Sequence, residues 1–302
     1  MEDMITGLCP QCGHTLHIPA ELASFSCMYC GARLTKEQLE AEPPAAQEAD
    51  EDRAAYYDRA VSQLGWCIKN FGGYQKKIMR DVFFEAFETY ETGCAPVIQE
   101  LARGVAPEQQ TQLLGRAAAA MLDELEAGWQ KKGDMEDEKI VLAIFFVPMV
   151  RKQQLPISEE FVTILQKQWV ERYPKSPFYL GDYESISGGF RKKFLGLCFI
   201  TTAVCQELGK PDDCEELTAF RAFRDGYLRS QPDGEALIRE YYNIAPGIVT
   251  CINTCSDRHA SYARIREEYL APCYQDLLAG RNESCKARYV RMVRDLEREY
   301  LS

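Results

Sequence analysis

"IVLAIFFVPMV", Ile140 to Val150, decides the class of this fold. Its eleven apolar residues fall well short of the ~20 that a membrane-spanning helix needs, and Pro148 interrupts them between Lys139 and Arg151. The run therefore reads as the middle of a buried helix, "DEKIVLAIFFVPMVRKQ". Working outward, apolar residues recur at spacings of three and four in "YYDRAVSQLGWCIKNF", "YQKKIMRDVFFEAFETY" and "TQLLGRAAAAMLDELEAGW", the pattern of helices with one apolar face. Pro107 stands near the start of the third, and Gly72, Gly73 and Gly93 serve as punctuation. Beyond the central run, Ser158 is placed as the N-cap of "EEFVTILQKQWVERY", which ends before Pro174. No stretch of this body alternates long enough to make a strand.

Composition bounds what such a chain can do. At 302 residues it can bury a sizeable core and form two domains. With 46% hydrophobic and 11% aromatic residues it is too apolar to be disordered. The net charge of -11 is unevenly carried: residues 1–52 hold ten acidic and two basic residues, and the rest is nearly balanced. Without a surplus of Lys and Arg, nucleic acid is not the expected partner. The opening "MEDMITG" is acidic where a secretory signal is basic, and no apolar segment follows, so the expected location is cytoplasmic, with no membrane partner. Thirteen cysteines in a reducing compartment must be ligands, nucleophiles or small core residues.

One set is decided by spacing. "CPQCG" (Cys9–Gly13) and "CMYCG" (Cys27–Gly31) are paired knuckles with fourteen residues between Cys12 and Cys27. Each turn presents two thiolates about one tetrahedral edge apart, and its Gly permits the positive φ that points amides at sulfur. Cys9, Cys12, Cys27 and Cys30 are the predicted metal ligands and one Zn2+ the expected ion. The zinc is structural, because four protein ligands leave no position for water. Short strands in "HTLHIP" and "ASFSC" complete a zinc ribbon over 1–36, with His14 and His17 as strand residues. So small a domain depends on metal for most of its stability. With Arg33 and Lys36 as its basic residues, the ribbon is expected to contact protein.

"EQLEAEPPAAQEADED", residues 37–52, has seven acidic residues and a Pro pair and reads as an acidic flexible linker. A short acidic helix from near Thr35 would account for its first part. The expected fold class is thus mainly α: a small ribbon of short β strands joined by this linker to an all-α body, divided as 53–185 and 186–302. Cys67 and Cys94 fall singly on the body and read as core. "YPKSPFYLGDYESISGGF" (173–190), with five aromatics, two Pro and three Gly, reads as a loop packing over a groove or junction.

The second half carries "CFITTA" (Cys198–Ala203), then "LTAFRAFRDGYL", then "GEALIREYYNIAP". On these residues the segment 194–255 resembles the CFI-box domain found at the C-terminal end of many bacterial proteins. The matching positions are Cys198, Phe199, Ile200, Thr202, Ala203, Arg221, Phe223, Arg224, Asp225, Tyr241, Tyr242 and Pro246. Thr201, Val204 and Cys205 depart from the family's usual text. The resemblance implies architecture and no particular chemistry.

From the residues, Cys198 and Cys205 are seven apart, two helical turns on one face. Asp212 or Asp213 is the expected N-cap of the next helix and Asn282 that of the last. Phe220, Phe223 and Tyr227 form a core stripe beside an ion-pair network of Arg221, Arg224 and Asp225. Cys198, Cys205 and Cys214 have three readings: ligands of a second zinc with Cys251 and Cys255, a nucleophile at Cys198 with His259 as base, or core residues. The expected role is a non-enzymatic adaptor or scaffold. The alternatives are a cysteine-dependent enzyme or thiol redox sensor using Cys198, and a nucleic-acid-associated ribbon protein.

Overall fold

The apolar run is helical throughout. A computed structural model describes residues 4–12, 14–39, 50–191 and 198–302, and two units make up the chain, Met1–Arg53 and Ala54–Ser302. The fold is mainly α, with two small two-stranded sheets near the N-terminus among the described residues.

In the first unit, β1 (Met4–Leu8) pairs antiparallel with β2 (Thr15–Pro19), Ile5 opposite Ile18. In the second hairpin β3 (Ser24–Ser26) pairs antiparallel with β4 (Arg33–Thr35), Phe25 opposite Leu34. Strand alternation turns Leu16, Ile18 and Leu34 inward to a core they share with Cys9 and Cys27. A single 3-10 turn, Lys36–Gln38, follows β4. Residues 40–49 of the expected linker lie outside the described residues, and its last three, 50–52, begin the first helix.

The helices are α1 (Asp50–Leu64), α2 (Trp66–Lys69), α3 (Phe83–Gly104), α4 (Gln110–Gly128) and α5 (Lys132–Val141). Then come α6 (Val147–Lys152), α7 (Ser158–Arg172), α8 (Tyr183–Arg191), α9 (Phe199–Glu207) and α10 (Glu215–Ala222). The last four are α11 (Gly234–Cys255), α12 (Arg258–Ile265), α13 (Ala271–Leu278) and α14 (Asn282–Tyr300). Between α5 and α6 the chain stays helical through a π-turn, Leu142–Phe146, that accommodates Pro148. Proline has no N–H and clashes with the carbonyl four residues back, and a widened turn relieves that clash. The same device, Arg266–Leu270, precedes Pro272.

Ile140 to Val150 is buried at every position. Phe145 sits among Phe83, Phe87 and Tyr90 of α3, while Phe146 meets Phe161 of α7. Phe190 of α8 stacks on Phe83 at 4.3 Å. Two observations tie α11 to the turn before α3: Arg80 N–H donates to the Asn243 carbonyl at 3.0 Å, and Gly247 lies against the Ile78 carbonyl. The buried core is therefore continuous across position 186.

Several local expectations are corrected. Ser158 is the first residue of α7 and not its cap; its hydroxyl accepts the Leu155 N–H in the turn before. Cys214, not Asp212 or Asp213, caps α10, and Arg281, not Asn282, precedes α14. Gly93 lies inside α3 and punctuates nothing. The end of the expected loop 173–190 is helical, forming α8, because Ile186 and Phe190 are four apart and both reach the core.

A Cβ at position 247 would stand 1.9 Å from the Ile78 carbonyl oxygen, which is backbone and cannot swing aside. Gly247→Ala is expected to destabilise the helical unit by about 1–3 kcal/mol, the usual range for overpacking. Urea unfolding followed by helical circular dichroism would measure it, and an unchanged midpoint would refute the close approach.

Candidate metal centre

The four predicted ligands converge because both hairpins end in the same kind of turn. Cys9 directly follows β1 and Cys27 directly follows β3, while Cys12 and Cys30 stand in the turns that lead to β2 and β4. Cys9 N–H donates to the His14 carbonyl at 3.0 Å and Cys27 N–H to the Ala32 carbonyl at 2.8 Å, closing each turn. Gly31 has φ +76, the left-handed conformation the second turn needs. Its counterpart Gly13 lies outside the described residues.

Cys9 Sγ and Cys30 Sγ are 3.8 Å apart, Cys12 Sγ and Cys27 Sγ 3.7 Å, and all four sulfurs lie within 4.8 Å of one another. A tetrahedral metal with bonds of about 2.3 Å to sulfur spaces its ligands at about 3.8 Å. A disulfide would need about 2.05 Å, and all four cysteines are free. The donor set and its spacing fit a four-coordinate metal ion, and among the described residues this is the one group of Cys, His, Asp or Glu that does.

Backbone amides prepare the site for negative sulfur. The Cys30 and Tyr29 amides face Cys27 and hold its thiol down at about 6. The His14 amide also favours the Cys12 thiolate, but lost hydration and hydrogen bonds to the other three sulfurs outweigh it and push Cys12 up to about 12. Four thiols so close cannot all ionise alone; a dication removes that conflict. His14 stacks on Tyr29 at 4.3 Å, and the His17 ring shares a 2.9 Å hydrogen bond with Thr6, so neither belongs to the cluster. The stack was not foreseen, since it depends on how the two turns meet.

The second proposed metal set does not assemble. Cys205 and Cys214 approach to 3.9 Å, but Cys251 bonds the Tyr300 carbonyl and Cys255 stands near Lys139. Cys198 is the N-cap of α9 and not a residue within it, so the two-turn spacing to Cys205 does not apply. Cys198 is 4% exposed, and burial pushes its pKa up against the pull of Arg224, whose Nη1 is 3.6 Å away. His259, expected as its base, is 80% exposed and faces Glu207. Of the expected ion-pair network only part forms: Arg224 binds Asp225 through two nitrogens, whereas Arg221 turns away to Asp212.

Chance pairing of thiols also escaped the sequence. Cys94 directs its thiol at the Cys67 carbonyl, and Cys273 at the Cys285 carbonyl, both at 3.9 Å. No helix among the described residues is long and apolar enough to cross a membrane. Compared with known proteins, the chain matches no family model, no curated protein and no solved structure.

Because each thiol must shed its proton to bind metal, metal occupancy at limiting metal is expected to fall between about pH 8 and about pH 5. Cys30→Ser should weaken binding about a hundredfold or more while leaving the helical circular dichroism signal intact. Competition with a chromogenic chelator reads both; pH-independent affinity would rule out thiolate ligation. For Cys198, alkylation of the native protein should be no faster than in Cys198→Ser, and a fast phase lost in that variant would overturn the buried assignment.

Proposed function

We propose that this chain is a non-enzymatic adaptor whose N-terminal ribbon holds one structural zinc and contacts a protein partner, with the helical unit as scaffold. The observation that carries the reading is the closed set of four sulfurs at tetrahedral spacing. All-thiolate tetrahedra favour zinc among ions that need no sulfide, and a full shell leaves no place for a reacting water.

The partner class is argued from the ribbon surface. Met28 is 81% and Tyr29 58% exposed on the second knuckle, with His14 stacked beneath Tyr29. An exposed thioether beside an aromatic ring held by a neighbour suits apolar and aromatic protein contacts. Arg33 and Lys36 are too few to build a phosphate-binding face. The cytoplasm suits a chain whose thirteen cysteines are all free.

The CFI-box reading of 194–255 belongs to the same proposal. Its support is that residues of the motif gather in one cluster: Arg224 reaches Cys198 and Tyr242, Tyr241 accepts the Ile200 N–H at 3.0 Å, and Phe199 meets Tyr242 edge to face. An ordered cluster of this kind is what a shared architectural motif requires.

Mass spectrometry of the native chain is expected to find one zinc, absent from a Cys9→Ser, Cys27→Ser double variant. A photo-crosslinking residue at position 28 should give one discrete protein adduct in cells, lost with that double variant. Iron or no metal would sink the zinc assignment, and nucleic-acid adducts at position 28 would sink the adaptor.

A further inference from the structure

Between α11 and α14, beside the π-turn Phe223–Tyr227, lies a cavity of about 60 Å3. Its walls are apolar: Phe220 and Phe223, Ile238 of α11 and Val293 of α14 line it. Leu237 and Val290, half-buried, mark where it meets the surface. Such a space is several times the ~10–15 Å3 that one water occupies, and its walls give water few partners, so it favours an apolar guest.

The polar end of the cavity restricts that guest further. Cys198 and Arg224 line it there, Arg224 being only 7% exposed. Every guanidinium nitrogen is engaged: Nε and Nη2 with the Asp225 carboxylate at 2.8 and 2.6 Å, and Nη1 with the Tyr242 hydroxyl at 3.1 Å and the Cys198 sulfur at 3.6 Å. An anionic ligand would have to displace Asp225. The Cys198 thiol is kept protonated by burial and adds no charge. At the rim, Arg294 pairs bidentately with Glu240. Both are substantially exposed, so the pair is cheap to part and can admit a molecule between α11 and α14.

We propose that this cavity is a binding site for a small neutral apolar molecule, of about the size of a xenon atom or cyclopropane, entering between Leu237 and Val290. The residues named as lining the site all belong to the helical unit. The site's selectivity follows from its walls: small neutral apolar guests bind, while carboxylates of similar size do not, because Arg224 is already matched.

The test uses the full-length protein with xenon and cyclopropane as probes and acetate as the charged comparison. Saturable shifts of the Leu237, Val290 and Val293 methyl resonances are expected with both neutral probes. A melting-temperature rise of about 2–4 °C should accompany them at ten times the dissociation constant. Val290→Trp, at the half-buried mouth, should abolish both effects. Absent or non-saturable methyl shifts in the native protein would overturn the proposal whether or not that variant folds. So would an equal response in a folded V290W, or binding of acetate as tight as that of cyclopropane.

Discussion

A helix that is apolar on every side can exist in water only if other elements cover it completely, and the helical unit is organised by that requirement at Ile140–Val150. The π-turn before Pro148 matters to how it is met. Phe145 goes to the aromatic group on α3 and Phe146 to Phe161 on α7, so adjacent residues serve different neighbours. The remaining cover comes from later in the chain: α11 packs on the π-turn, and α8 brings Phe190 onto Phe83. Residues beyond 186 thus complete the cover of a helix that precedes it by some forty positions. A first half cut at 185 would leave that face of the core open.

The ribbon obeys the opposite logic. Its inward-facing core is five residues, two of them metal-site cysteines, so apolar burial cannot supply what a small domain needs to fold. Its four convergent sulfurs offer another source of order, through bonds that exist only when sulfur is ionised and held by a cation.

These two regimes explain what could be read from the sequence. Paired CxxC turns are local, so the ligands and the Gly31 conformation follow from spacing and β2 and β3 from the residues between the knuckles, whereas β1 and β4, which pair with them from outside that stretch, were missed. The central helix is legible from its length and lack of a polar face. Residue-level features that depend on distant packing were not: α8 contains Gly188 and Gly189, poor helix formers, and exists because Ile186 and Phe190 find α3 and its neighbours. Helix starts shifted for a similar reason. Ser158 caps a turn instead of α7, since its hydroxyl reaches the Leu155 amide first. The cavity at Cys198 is still less visible, because Phe220, Ile238 and Val293 each read as ordinary core and only their arrangement leaves a space.

The thirteen cysteines divide along the same line, and backbone amides account for the division. In a helix each interior N–H is spent on the carbonyl four residues back, so a thiol there finds few donors to stabilise its charge. Cys205, crowded by Cys214, is accordingly pushed up to about 12 by burial and by its neighbour. Cys67 beside Cys94, and Cys285 beside Cys273, are raised by hydrogen bonding to the other thiol and by burial. Cys67, Cys205 and Cys285 thus stay protonated and act as compact apolar fillers of the core. A knuckle turn leaves its amides unspent: those of Cys30 and Tyr29 are free to face Cys27, and the His14 amide faces Cys12. Crowding that holds thiols neutral in the helices becomes, where free amides and a dication are available, the condition for binding metal.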